Sequence, residues 1–130
     1  LIVINMPGGG VRDIQAAELL WLRKAFDGEW KGATMLQLAA DRLYSNESIG
    51  DLCDKFGNAG EPLVELSAPV GRMKLFVSAH RVRQVIEGNP VIYDEKAKSI
   101  LLFASKMRLA VRETPEDVRS KLTKAGAPVA

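Results

Sequence analysis

The stretch Val11–Phe26, VRDIQAAELLWLRKAF, decides how the first half of this chain is read. At 100° per residue Val11, Ile14, Ala17, Leu19, Trp21, Leu22, Ala25 and Phe26 fall in one broad arc, interrupted only by Glu18. Arg12, Asp13, Arg23 and Lys24 lie opposite, with Leu20 among them. That pattern predicts a helix over residues 11–26, and an arc so wide predicts cover on more than one side. Leu20, apolar on the polar side, is a candidate interaction residue.

Working outward, DGEWKG at residues 27–32 closes the stretch with two glycines around Trp30. A tryptophan on such a connection either folds back over the core or serves as a contact anchor. Met35, Leu36, Ala39, Ala40 and Leu43 predict a second helix over residues 33–44. Ile49, Leu52, Cys53 and Phe56 predict a third over residues 48–56, with N-cap candidates in Ser45 and Asn46 and a stop at Gly57. Cys53 sits on the apolar stripe, where cysteine acts as a small hydrophobe.

Upstream, Leu1 to Ile4 reads either as a short strand or as flexible, tag-like residues before a natural start at Met6. Gly8 to Gly10 are contiguous. They lack the GxGxxG or GxxxxGK[ST] spacing with which backbone amides cradle phosphate.

Downstream, residues 58–71 form a Gly- and Pro-containing connection in which Leu63–Leu66 can form a strand. From residue 72 the pattern alternates. Met73, Leu75 and Val77 point inward, then RVRQVIE, VIY, SILLFA and MRLAVRE follow as strands separated by turn residues. RVRQVIE also fits a helical turn through Val82, Val85 and Ile86. In RLAVRETPEDVRSKL, residues 108–122, Thr114 suits an N-cap and Pro115 the first helical position. Glu116 and Asp117 sit at the positive end of the helix dipole, Lys121 and Lys124 near the negative end, and Gly126 follows as the stop. The sequence shows no internal repeat. The strands, turns and closing helix of this half resemble small proteins of the flagellar FlbD type over about a third of the chain, in hydrophobic pattern. The resemblance carries no function across.

The sequence therefore predicts a single α+β domain over residues 1–130. About three helices over residues 11–57 pack as an N-terminal layer on a small antiparallel sheet of three to four strands within residues 72–126, and a C-terminal helix closes it.

The chemistry is sparse. His80 is the only histidine and Cys53 the only cysteine, so one chain cannot assemble a Cys₄, Cys₂His₂ or His₃ zinc set. No serine has a GxSxG context, and the carboxylates at Asp94/Glu95 and Glu116/Asp117 read as turn and capping residues. The expectation is a protein that is not an enzyme, with no catalytic, metal or cofactor residues and no cofactor.

A single cysteine fits a reducing compartment, and no apolar run reaches the ~20 residues of a membrane-spanning helix. A cytoplasmic protein with no membrane partner is expected.

Charge divides unevenly. Residues 1–71 hold 6 Lys/Arg and 10 Asp/Glu, a net −4, and residues 72–130 hold the remaining 12 and 6, a net +6. Arg72, Lys74, Arg81, Arg83, Arg108 and Arg112 form the candidate basic face. Such a face pairs with the acidic half, with a second copy, or with nucleic-acid phosphates. The expected function is a binding or regulatory module working through protein–protein contacts, as a homodimer, with Leu20 and Trp30 as anchors. Nucleic-acid binding through the basic face is the alternative.

Overall fold

A computed structural model describes residues 1–130 and replaces the helical N-terminal layer with strands. The chain has ten strands and two helices. In order they are β1 (Ile2–Asn5), β2 (Val11–Ile14), β3 (Leu19–Lys24), β4 (Thr34–Leu38), β5 (Arg42–Ser45), α1 (Ile49–Asn58), β6 (Leu63–Ser67), β7 (Lys74–Ser78), β8 (Val82–Glu87), β9 (Ser99–Phe103), β10 (Arg108–Val111) and α2 (Pro115–Lys124). They form three antiparallel sheets, β1–β2, β5–β4–β3–β7–β6 and β10–β9–β8.

The predicted helices over residues 11–26 and 33–44 are wrong, and burial shows why. The residues of β3 from Leu19 to Arg23 are all buried, as are all five of β4. Successive side chains alternate between two apolar cores, so the period-2 signal of a half-buried strand is erased. Leu19, Leu22, Leu36 and Leu38 enter one core, while Leu20, Trp21 and Met35 enter the other. A β-bulge between Leu19 and Trp21 shifts the phase further. The helix-favouring Ala16–Glu18 forms only a single 3₁₀ turn, with Glu18 Oε2 accepting from the Gln15 N–H.

The β-rich half is closer to its prediction. β6, β7, β8, β9 and β10 all form, and VIY does not, since Val91 and Ile92 are exposed in the β8–β9 connection. α1 is capped by Ser48 rather than by Ser45 or Asn46. It runs past Gly57, and the left-handed residue after it is Gly60, φ +83°. α2 starts at Pro115 with Thr114 Oγ1 accepting from the Asp117 N–H, as expected. Of the two readings of the start, the short strand is the one that forms, and Ile2 and Ile4 of β1 are core residues.

The element order repeats. Residues 2–58 and 63–124 each run hairpin, 3₁₀ turn, three-stranded meander, helix. The bulge between Leu19 and Trp21 of β3 recurs between Val82 and Gln84 of β8. Side-chain contacts recur as well. Glu47 Oε2 accepts from the Asn5 N–H, and Glu113 Oε1 from the Ser67 N–H. Lys55 Nζ donates to the Val3 carbonyl at 2.8 Å, and Lys121 Nζ to the Glu65 carbonyl at 2.7 Å. Thr34 Oγ1 donates to the Glu47 carbonyl, and Ser99 Oγ to that of Glu113. With the halves aligned, RLYSNESIGDLCDKF (42–56) matches RLAVRETPEDVRSKL (108–122) at Arg42/Arg108, Leu43/Leu109, Glu47/Glu113, Asp51/Asp117 and Lys55/Lys121. The chain is an internal duplication, contrary to the reading of no repeat. The retained Glu and Lys are the ones that tie each helix to its own hairpin.

The two units join where β3 of the first pairs with β7 of the second, Trp21 opposite Val77 and Leu22 opposite Phe76. Leu20, Trp21 and Met35 thereby enter the core of the second unit, where Trp21 meets Phe103 with ring centroids 5.5 Å apart.

Candidate interaction surface

The connection between β3 and β4 is held by an ion-pair network that the sequence did not reveal. Arg23, on β3, is only 4% exposed, and its Nη1 donates to Glu29 Oε1 at 2.7 Å and to the Lys24 carbonyl at 3.0 Å. The Phe26 N–H and Tyr44 OH each donate to Glu29 at 2.7 Å, and Arg42 Nη1 lies 3.3 Å away. The Arg23 guanidinium also stacks over the Phe26 ring, 3.7 Å from its centroid. Hydrogen bonding by Arg23 outweighs burial and holds the Glu29 carboxyl down at about 2. The same carboxylate pushes the Tyr44 phenol up.

This network fixes the loop that carries Trp30, which is 55% exposed and does not fold back over the core. Trp30, Tyr44, Arg42 and Arg12 border a groove of about 430 Å³ against the Met6–Gly10 turn. Gly9 there takes φ +92°, a conformation that a side chain would strain. Arg12 is held by Asp41, at 2.9 Å. Tryptophan, tyrosine and arginine around a preformed concavity are the residue types that dominate binding hot spots.

Leu20 is 4% exposed in the junction between the two units, so it is a folding contact and not an external anchor. The basic-face residues do not form one surface. Arg112 Nη2 donates to the Pro69 carbonyl at 2.9 Å, Lys74 Nζ to Ser67 Oγ, and Arg81 pairs with Glu61 at 3.5 Å. Arg83 and Arg108 are exposed on the three-stranded sheet. Arg72 and Lys74 join Lys24 along a groove floored by Met73 and Phe76. Phe76 itself packs against the core of the first unit, so that side of β7 is a covered face.

His80 Nδ1 lies 4.0 Å from Glu61 Oε2, beside Arg81 on the same carboxylate. The histidine makes no hydrogen bond to a serine, threonine or cysteine, and the adjoining groove of about 410 Å³ is lined mainly by the C-terminal residues 126–129 and the 79–82 turn. No three His, Cys, Asp or Glu side chains converge as a metal site would require. No helix is long and apolar enough to cross a membrane.

The network residues were missed because Arg23, Glu29, Arg42 and Tyr44 come together only when β3, β4 and β5 form a meander. The one local signal was Glu29 beside Trp30 in a glycine-flanked loop. Comparison with protein families, with curated proteins and with solved structures finds no match.

Proposed function

We propose that this protein is a non-enzymatic binding module that acts through protein–protein contacts and associates with copies of itself. The observation that carries the reading is Trp30. It is an exposed indole on a loop whose conformation is fixed by Arg23, Glu29 and Tyr44, so the entropy of ordering a contact loop is already spent before a partner arrives.

The experiment is selection of displayed random peptides against the folded protein, followed by titration of enriched sequences onto wild type and Trp30→Ala. The expected result is binding weakened by about thirtyfold or more in the variant, the size of a hot-spot loss. Enrichment of nothing, or of peptides indifferent to Trp30→Ala, would overturn the reading.

A second reading, nucleic-acid binding, is supported by the groove where Lys24, Arg72 and Lys74 converge over Phe76. It predicts steeply salt-dependent binding of single-stranded DNA that Arg72→Glu abolishes. Fluorescence anisotropy with and without added salt separates the two.

A further inference from the structure

The junction between the two units carries a like-charge contact that the chain does not neutralise. β3 pairs with β7 through Trp21–Val77 and Leu22–Phe76, and there the pairing stops. Two residues further, the same register sets Lys24 opposite Lys74, on the face that Leu22 and Phe76 turn toward the first unit's core. Like charges directly opposite destabilise a strand pair. Lys74 turns aside, its Nζ donating to Ser67 Oγ at 3.2 Å. No ion pair of the chain includes Lys24, Lys74 or the neighbouring Arg72. Glu65 is the one carboxylate on this face of the β6–β7 hairpin; it lies opposite Phe76, exposed, and pairs with none of them.

The three cations border a groove of about 500 Å³ whose apolar wall is Ile49 of α1, Met73 and Phe76. A second groove, of about 290 Å³, shares Arg72, Met73 and Lys74 and adds the exposed Arg112. No acidic side chain lines either groove.

We propose that this track binds an acidic peptide segment of a partner protein, with carboxylates on both sides of aliphatic side chains. The carboxylates meet Lys24, Arg72 and Lys74, and the aliphatic groups cover Ile49 and Met73. Cations spread over two adjoining grooves exceed what one small anion neutralises, so the occupant carries several carboxylates along a chain. The apolar wall separates a peptide from single-stranded nucleic acid. Bases stack on exposed aromatic faces, whereas Phe76, the one ring here, packs against the first unit's core and its neighbours are aliphatic. The junction breaks a local rule of strand pairing because the partner supplies the counter-charge.

The proposal rests on the protein-contact part of the binding-module reading and uses a site separate from Trp30. Its test is fluorescence anisotropy of a labelled synthetic peptide, GEELLEEG, titrated with the full chain at low salt. Binding is expected, and it should weaken about tenfold or more when glutamine replaces every glutamate, when glycine replaces both leucines, or in Arg72→Glu, the loss of one charge-assisted or well-buried contact. Trp30→Ala should leave it unchanged. A peptide with lysine in place of each glutamate should bind the Lys24→Glu/Arg72→Glu protein more tightly than the wild type, a gain that misfolding does not produce. Lys24→Glu alone turns the opposed lysines into an ion pair and should raise the melting temperature by about 1–4 °C. No peptide binding at several hundred micromolar, binding that ignores the leucines, or a lower melting temperature in Lys24→Glu would overturn the proposal. So would an oligothymidylate that binds through Arg72 more tightly than the peptide, which gives the groove to nucleic acid. Selected peptides that need Trp30, on a chain that ignores the acidic one, would leave the Trp30 reading standing and remove only this one.

Discussion

Glu29→Gln tests the network that fixes the Trp30 loop. In the wild type, Glu29 is 14% exposed at its side chain and accepts from Arg23, Phe26, Tyr44 and Arg42. Its carboxyl titrates at about 2 instead of 4.5. Each tenfold change in proton affinity is worth about 1.4 kcal/mol, so the ionised carboxylate contributes about 3 kcal/mol to stability.

The sign follows from a lowered folded-state value. The contribution is fully present above pH 4.5, declines as pH falls, and is lost near pH 2. Glutamine keeps the shape but not the charge: one of the two oxygens that take the Arg23, Phe26, Tyr44 and Arg42 donors becomes an NH2 that cannot accept, and the buried guanidinium of Arg23 loses its counter-charge. The loss at pH 7 is expected at about 3 kcal/mol, at the lower end of the range for breaking a buried pair.

Urea unfolding of both proteins at pH 7, 5, 4, 3 and 2 measures this. The two stabilities should differ most at neutral pH and converge in acid as the wild-type carboxylate takes up its proton. Trp30 quenching by acrylamide should rise in the variant while buried Trp21 stays protected. A difference below about 0.5 kcal/mol at pH 7, or one that does not shrink toward pH 2, would refute the account of the network.

Three further outcomes follow from particular contacts. At Gly88 an added Cβ would fall 1.7 Å from the Ala97 carbonyl oxygen, so Gly88→Ala should cost about 2 kcal/mol or more and loosen the β8–β9 connection, as read by thermal melting and amide exchange. Glu113→Ala removes the acceptor for the Ser67 N–H and should cost about 1–3 kcal/mol, with the matching loss for Glu47→Ala at Asn5, both by chemical denaturation. Burial raises the Cys53 thiol above its ordinary value, and the side chain is only partly accessible. Its reaction with a disulfide reagent at pH 8 should therefore run at least about tenfold slower than that of free glutathione.

The parts of the fold that were legible share a physical condition, namely one covered face and one wet one. β8 alternates incompletely but keeps exposed residues at Arg83, Gln84 and Glu87, and α2 carries its cap, its Pro and its end charges in sequence order. β3 and β4 are covered on both sides, and their runs LLWLR and TMLQL match a helix arc as well as a buried strand. The same cover hid the duplication. Trp21 and Gln84 occupy equivalent places, but one is packed in the junction between units and the other faces solvent, so their chemistry diverged. The candidate surface was legible only at Trp30, because an indole between glycines is a local feature. Arg23 and Glu29, six residues apart, looked like charges on separate elements.

What the sequence by itself determined were the local devices: Thr114 and Pro115 starting α2, Gly126 ending it, and the alternation of β7. These depend on neighbours within a turn or two along the chain. Only the tertiary structure decided that Val11–Phe26 is strand and that Leu20 is core. It also decided which basic side chains share a groove and which carboxylate holds the Trp30 loop. Each of these depends on what covers a segment from a distance, as β7 and the second unit's core cover β3. The same local apolar pattern is compatible with either structure until that cover is in place.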